Sequence, residues 1–468
     1  MITMSGRPVL RSRVIARSLL GLVALLACLP GCRRDGPAYD NLVLVTVDTL
    51  RADHLGLYGY PRPTSPYLDE LGREGVVFWH AVTASSHTAP SHATILTSLY
   101  PEQHRVLVNG QALDPGIPGL AGVLGNHGLE TAGFVSVRFL EGLRPGFETF
   151  DAEVADGEVF RTANATVDRA IEWLEDREPG RRFALWVHVY DPHQHVVTTR
   201  MPEPYYRHML EDSDRRGDEL LYFLQQEQGY PRDYLSGAID RYDAQIAFVD
   251  AQIRRLFEAA AEAASPARTL RVVTADHGEG LGHHNLEGHG RNLYQEQVRA
   301  PLILHGDTSR LRHGVVTTPV RHVDVLPTLS ELLGVPLSRA GLHIEGVSLL
   351  PLLENPSADL GIEPAFSQRR PPDERRLRIG WEPGIKLAAQ NGAFKYIRNP
   401  EPPHEFYDLR RDPNELRNLI HAESTEKDRL RRWLDAKYDS LRRDHRAESP
   451  SDEIDPQVLE DLKALGYI

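Results

Sequence analysis

The chain has 468 residues but only two cysteines, Cys28 and Cys32. A disulfide-stapled scaffold and a cysteine-built zinc site are therefore excluded. Positive charge is also scarce: 53 Lys+Arg stand against 66 Asp+Glu, a formal net charge of −13. Such a balance argues against a general binder of nucleic-acid backbones, which needs a positive field. The apolar stretch Leu19–Leu29 falls short of the roughly 18 residues wanted for a membrane span. What is present is ordinary for a folded protein: 41% hydrophobic and 25% charged residues exclude wholesale disorder. The length calls for one large α/β domain with a smaller one beside it. Histidine is plentiful at 21, which directs any metal chemistry towards imidazole and carboxylate ligands.

Residues 1–31 carry Arg7, Arg11, Arg13 and Arg17 and no acid, followed by the short apolar stretch. This is the pattern of an export signal, with an uncleaved anchor as the alternative. Leu29-Pro30-Gly31-Cys32 resembles a bacterial lipoprotein cleavage box. The resemblance implies an exported protein, lipid-anchored through Cys32 to a bacterial membrane and facing the periplasm or cell surface. Cys28 would leave with the signal, so the mature body would hold no thiol nucleophile. The expected organisation is 1–32 signal peptide and lipobox, 33–40 linker, 41–350 catalytic domain, 351–445 small α+β subdomain and 446–468 tail helix.

Three apolar runs end on acids. Leu42–Val47 stops at Asp48, Phe183–Tyr190 at Asp191, and Leu270–Ala275 at Asp276-His277. Continuous apolar runs suit strands buried on both faces. Between them, Tyr242, Ile246, Val249, Ile253 and Leu256 recur at helical spacing. Alternating strands and helices predict a large, mostly parallel sheet covered by helices on both faces, with its site at the carboxyl ends of the strands. One such Asp is ordinarily a helix cap or turn residue; three together, one followed by His, point to a metal site. Further on, Lys395–Arg398 and Phe406–Leu409 predict a small C-terminal antiparallel sheet. A helix over 424–445, with Leu430, Trp433, Leu434 and Leu441 as its buried stripe, completes that part.

Ser85–Thr97 reads as a loop running into a helix, with Pro90 in the first turn. Read locally, Thr88 is an N-cap. A wider resemblance gives it another role. Val47-Asp48-Thr49-Leu50-Arg51, Thr88-Ala89-Pro90-Ser91-His92 and Thr274-Ala275-Asp276-His277-Gly278-Glu279 resemble the three signatures of the sulfatase branch of the alkaline-phosphatase superfamily. Tyr190-Asp191-Pro192-His193, Tyr294–Leu302 and Phe406–Leu409 with Asn418-Leu419 match further segments in the same order, over roughly residues 41–420.

The resemblance implies an alkaline-phosphatase-like fold and a metal-dependent ester hydrolase or transferase. Sulfatases of this branch carry Cys, or occasionally Ser, where Thr88 stands and convert it to formylglycine. Threonine cannot be converted so, and its ester must be cleaved by water or passed to an acceptor. Thr88 is therefore read as a nucleophile for phosphate-type esters, without formylglycine. By resemblance, Asp48, Asp276 and His277 hold one divalent ion (Ca, Mg, Mn or Zn left open) with the Thr88 oxygen. His193 protonates the leaving group, and Arg138 holds an anionic oxygen. Asp191, His195 and His289 form a second ion or anion site. There are further departures: Thr49 stands where a second acid is usual, His92 replaces an arginine, and Ser136 and Arg138 stand where a Lys-x-His pair is expected. Two alternatives stay open: a sulfuric ester hydrolase working without formylglycine, and a catalytically degenerate anion-binding lipoprotein. The expected substrate is an anionic ester, glycan- or lipid-linked, with no nucleic-acid partner.

Overall fold

The apolar run after Asp40 becomes strand β1 (Asn41–Val47), buried along its whole length. The computed structural model describes residues 37–194, 205, 207, 209, 232–306, 311–335, 337, 342–378, 380–443 and 454–467. The signal segment with Cys32, residues 33–36 of the linker, and His195 lie outside the described residues.

β1 lies near the middle of a nine-stranded sheet. The others are β2 (Val76–Val82), β3 (Glu130–Val135), β4 (Thr149–Asp151), β5 (Phe183–Val189), β6 (Thr269–Ala275), β7 (Arg299–His305), β8 (Gly314–Val316) and β9 (Val320–Arg321). Their spatial order is β8-β2-β7-β6-β1-β5-β3-β4, with β9 beside β2. Strand β7 runs antiparallel to both of its neighbours, β2 and β6. The remaining pairs are parallel.

Alternation along β1 feeds two cores. Leu42 and Leu44 pack on one face with Phe78, Leu302 and helix α1 (Thr88–Thr97), through Ala89, Ala93 and Leu96. Val43, Val45 and Val47 pack on the other face with α2 (Ala163–Asp176) and α3 (Arg232–Ala264). The predicted stripe on α3 is fully buried there: Tyr242, Ile246, Val249, Ile253 and Leu256. Burying each such aliphatic side chain contributes about 1.5–3 kcal/mol.

The second, four-stranded sheet is antiparallel, in the order Ala365–Arg369, Lys386–Gln390, Phe394–Arg398 and Glu405–Asp408. Helix α4 (Thr425–Arg443) covers it with Leu430, Leu434 and Leu441 buried and Trp433 partly so. Helix α5 (Pro456–Ala464) is capped by the Asp455 carboxylate, which accepts from the Gln457 and Val458 amides. It packs Val458 and Leu462 into the first core. No helix among the described residues is long and apolar enough to cross a membrane.

Register places the site. Val47 pairs with Val189 on one side and Ala275 on the other. Asp48, the Tyr190-Asp191 pair and Asp276 therefore leave the sheet side by side. The loop after β1 is tied to α3 by Asp243, which accepts from Tyr60 Oη at 2.7 Å and Arg62 Nη1 at 2.5 Å and pairs with His54 Nδ1 at 2.8 Å. Both Arg62 and Asp243 are fully buried. Arg62 keeps Asp240 at 3.0 Å, but His54 and Tyr60 lose their buried partner, so Asp243→Ala is expected to cost about 1–3 kcal/mol. Urea unfolding checks this; a loss below about 1 kcal/mol would show that the network does not hold this loop.

Candidate active site

Asp48, Asp276 and His277 are completely buried and converge. One ligand atom from each lies within 4.8 Å of the others. His277 Nδ1–H donates to the Gly278 carbonyl at 2.9 Å, so Nε2 presents a lone pair. That nitrogen lies 3.3 Å from Asp276 Oδ2, 3.9 Å from Asp48 Oδ1 and 3.3 Å from Thr88 Oγ1. Gly278 lets the chain turn here: a Cβ would meet the Glu296 carbonyl oxygen at 2.0 Å.

The carboxylates are short of donors. Asp276 Oδ1 accepts from the amides of Thr49 at 3.1 Å and His277 at 2.8 Å. Both Asp48 oxygens and Asp276 Oδ2 are buried without a hydrogen-bond partner. Burial raises both acids well above the usual carboxylate range, and the Asp48 charge adds to the rise of Asp276. Two desolvated acids beside a neutral imidazole lone pair fit a divalent cation; orphaned buried oxygens of this kind otherwise carry a large penalty.

Thr49 explains the missing second acid. Its φ of 55° is left-handed, a strained conformation for a β-branched residue. The strain aims its N–H at Asp276, and its carbonyl accepts from Tyr242 Oη at 2.6 Å. At this position it is the backbone that serves the site.

His92, in place of the usual arginine, lies behind the acids. Its Nδ1–H donates to the Thr88 carbonyl at 2.8 Å and its Nε2 meets Thr46 Oγ1 at 2.9 Å. Thr46 Oγ1 also accepts from Trp186 Nε1 at 3.0 Å and meets His188 Nδ1 at 3.2 Å. Burial keeps both histidines neutral, pushing His188 down to about 3. His188 Nε2 stands 3.5 Å from Asp48 Oδ2, too far for a good hydrogen bond.

A second group of donors borders the first. One atom each from His193, Glu279 and His289 lies within 4.8 Å of the others. The His277 and His289 ring centroids are 4.3 Å apart. His289 Nδ1–H donates to the Ser86 carbonyl at 3.0 Å, and its Nε2 is 2.9 Å from His193 Nε2. Burial raises the Glu279 carboxyl to about 8. These residues line a cleft of about 320 Å³, together with Arg241, Arg375 and Arg376.

Two expected site residues stand elsewhere. Asp191 does not join His289. Its carboxylate accepts from the Ala163 amide and so caps α2, while burial raises it to about 7. Glu279 stands with His193 and His289 instead. Arg138 does not reach into the site: its guanidinium pairs with Asp461 of α5 and donates to the Val154 carbonyl at 3.3 Å.

Sequence reasoning passed over Glu279, although it stands in the Asp-His-Gly-Glu motif. Asn109 and Tyr467 were also missed, and neither has a local signal. Asn109 Oδ1 accepts from the Ala89 amide beside Thr88 at 2.9 Å, and its buried Nδ2 has no partner. Tyr467 Oη lies 2.8 Å from His193 Nε2.

A family model described as Sulfatase matches residues 40–335. The chain is 25% identical to the uncharacterized sulfatase YidJ of Escherichia coli over 81% of this chain and 83% of that one. It is 26% identical to the multifunctional alkaline phosphatase superfamily protein PehA of Trinickia caryophylli, over 81% and 91%. Among solved structures it is similar to the phosphonate monoester hydrolase of Agrobacterium radiobacter. The TM-score is 0.67 at 21% identity, covering 87% of this chain and 96% of that one.

The acid pair makes ion binding measurable without substrate. Adding Zn, Mn, Mg or Ca to chelator-treated protein is expected to raise its melting temperature, by about 2.7 kcal/mol of stability at a hundredfold excess over Kd. Asp276→Asn is expected to lose that response. A wild type whose melting none of the four ions shifts would remove the ion from this site.

Proposed function

This chain belongs to the sulfatase family and is a sulfatase-like ester hydrolase, and we propose that it cleaves phosphate-type esters, phosphonate monoesters and phosphodiesters foremost, with Thr88 as its nucleophile. The observation that carries the reading is Thr88 Oγ1 at the start of α1, 3.3 Å from His277 Nε2 and beside two unpaired buried acids. The likeness to a phosphonate monoester hydrolase and to an alkaline phosphatase superfamily protein supports phosphorus as the target. Arginines lining the cleft support an anionic substrate.

Asp48, Asp276 and His277 would hold a divalent ion, and carboxylates with imidazole suit Zn or Mn. When bound, it would offset the two acids, favour ionisation of a nearby hydroxyl and neutralise charge on the transferring group.

The chain's own residues do the rest. A threonine hydroxyl is a weak nucleophile unless activated. Placing Thr88 on the first turn of a helix holds its oxygen in the positive field of that terminus. His193 faces the cleft and gives a proton to the departing oxygen. His289, fixed by Ser86, orients His193 through the contact between their Nε2 atoms. Asn109 Nδ2, next to the start of α1, supplies a neutral donor for an oxygen of the substrate. The reading includes export and a lipid on Cys32.

Thr88→Ala is expected to abolish turnover of aryl phosphodiesters and phosphonates with an unchanged melting curve. Retained turnover would remove Thr88 from the reaction. An aryl sulfate rate above both phosphorus rates would move the substrate to sulfuric esters. His193→Ala should slow esters with poor leaving groups by about 10²-fold or more and nitrophenyl esters far less; an equal loss on both would reject its role as the acid.

A further inference from the structure

None of the steps above uses Glu279. It is only 2% exposed, yet it lines the cleft with His193 and His289, and one ligand atom from each of the three lies within 4.8 Å of the others. Its Oε1 accepts from the Gly280 amide at 2.9 Å, and its carboxylate forms no ion pair among the described residues. A buried carboxylate without a cation is costly.

The three side chains are held as metal ligands are held. His289 stands between Gly288 and Gly290, at φ +75° and +79°, and its Nδ1–H is committed to the Ser86 carbonyl. Its Nε2 therefore presents a lone pair. His193 stacks on Tyr190 at 4.5 Å between centroids, and its amide donates to the Tyr190 carbonyl at 3.1 Å. Its Nε2 stands 2.9 Å from His289 Nε2. Two nitrogens bound to one zinc ion, each at about 2.0–2.1 Å, lie roughly 3 Å apart. A carboxylate that accepts a hydrogen bond and an imidazole anchored through its other nitrogen are the usual supports of ligating groups. Two imidazoles with one carboxylate make a zinc set that leaves a fourth position open. The group shares no residue with Asp48, Asp276 and His277.

We propose that His193, Glu279 and His289 form a second cation site, for a divalent ion of the zinc class, and that an ion bound there inhibits the enzyme. The inhibition rests on the role of His193 given above; the site itself does not. On binding, His193 Nε2, His289 Nε2 and one Glu279 oxygen each give a lone pair to the ion. His193 keeps its single proton by carrying it on Nδ1, which is buried. A proton held by Glu279 passes to solvent, and nothing is oxidised or reduced. Nε2 then has no proton for a departing oxygen, so the ion removes the acid while Thr88 stays in place.

Chelator-treated protein equilibrated with Zn²⁺ is expected to hold two equivalents by elemental analysis. Glu279→Gln and Asp276→Asn should each hold one. His289→Ala repeats the test should Glu279→Gln not fold. A wild type that takes up a single equivalent, lost in Asp276→Asn, overturns the second site, and so does a second equivalent that survives both Glu279→Gln and His289→Ala. A single equivalent lost in Glu279→Gln but kept in Asp276→Asn upholds this site and removes the ion beside Thr88 instead. Raising zinc from one to two equivalents should slow esters with poor leaving groups by about 10²-fold or more and nitrophenyl esters far less. Equal inhibition on both, or none, overturns the inhibitory role. His193→Ala run alongside separates the readings. If it loses rate equally on both esters, the assignment of the acid has failed; if it discriminates and zinc does not, the present inference alone has failed.

Discussion

Two buried acids that repel each other are the constraint on which the site turns. Asp48 and Asp276 follow adjacent strands whose last residues, Val47 and Ala275, are paired in register. Their separation is therefore set by the sheet and cannot relax. Neither meets a lysine or arginine among the described residues; the imidazoles nearby are neutral. Keeping such a pair desolvated is costly, and the fold contributes further strain through Thr49 to bring one amide to Asp276. Structure that works against its own stability in this way is characteristic of a site organised for a ligand.

Much of this architecture was legible in the chain. Runs such as Leu42–Val47 and Leu270–Ala275 are mostly apolar, broken only by Thr46, Arg271 and Thr274, and such runs suit a strand covered on both faces. Their terminal acids had to meet because parallel strands end at the same edge. Reading Asp48, Thr88, Asp276 and His277 as neighbours needed only that topology and the resemblance to sulfatases. The direction of β7 was not legible, since an apolar strand reads alike in either sense. Asp191 shows the limit of the strand-end argument: the start of α2 lies beside it, and a helix terminus with free amides captures a carboxylate as readily as an ion does. Arg138 was misplaced because its partner, Asp461, lies 323 positions away. Asn109 and Tyr467 lack any local mark, since it is the packing of distant segments that brings Asn109 to the start of α1 and Tyr467 to His193.

The site also departs in kind from one that binds anions with fixed positive charge. Ser136 and Arg138 stand where the resemblance led one to expect a Lys-x-His pair, and neither brings a charge into the site, since Arg138 pairs with Asp461. Arg241, Arg375 and Arg376 line the cleft beside neutral groups, the imidazoles of His193 and His289 and the phenol of Tyr467, and the Asn109 amide stands next to the start of α1. The arginine charge draws an anion in, and the neutral groups can either give or take a proton.

The hydrogen-bonded line behind the acids runs one way only. The Thr88 carbonyl can only accept, so His92 must point its proton there. Thr46 must then give its proton to His92, and His188 must give its own to Thr46. The imidazole at the end of this line is left showing Asp48 bare electron density. Like a row of dominoes tipped from one end, the sequence cannot be reversed without breaking the bond to the Thr88 carbonyl. The rear wall is thus unable to quench the negative charge of the pocket, and relief must arrive from the open side, where the substrate also enters.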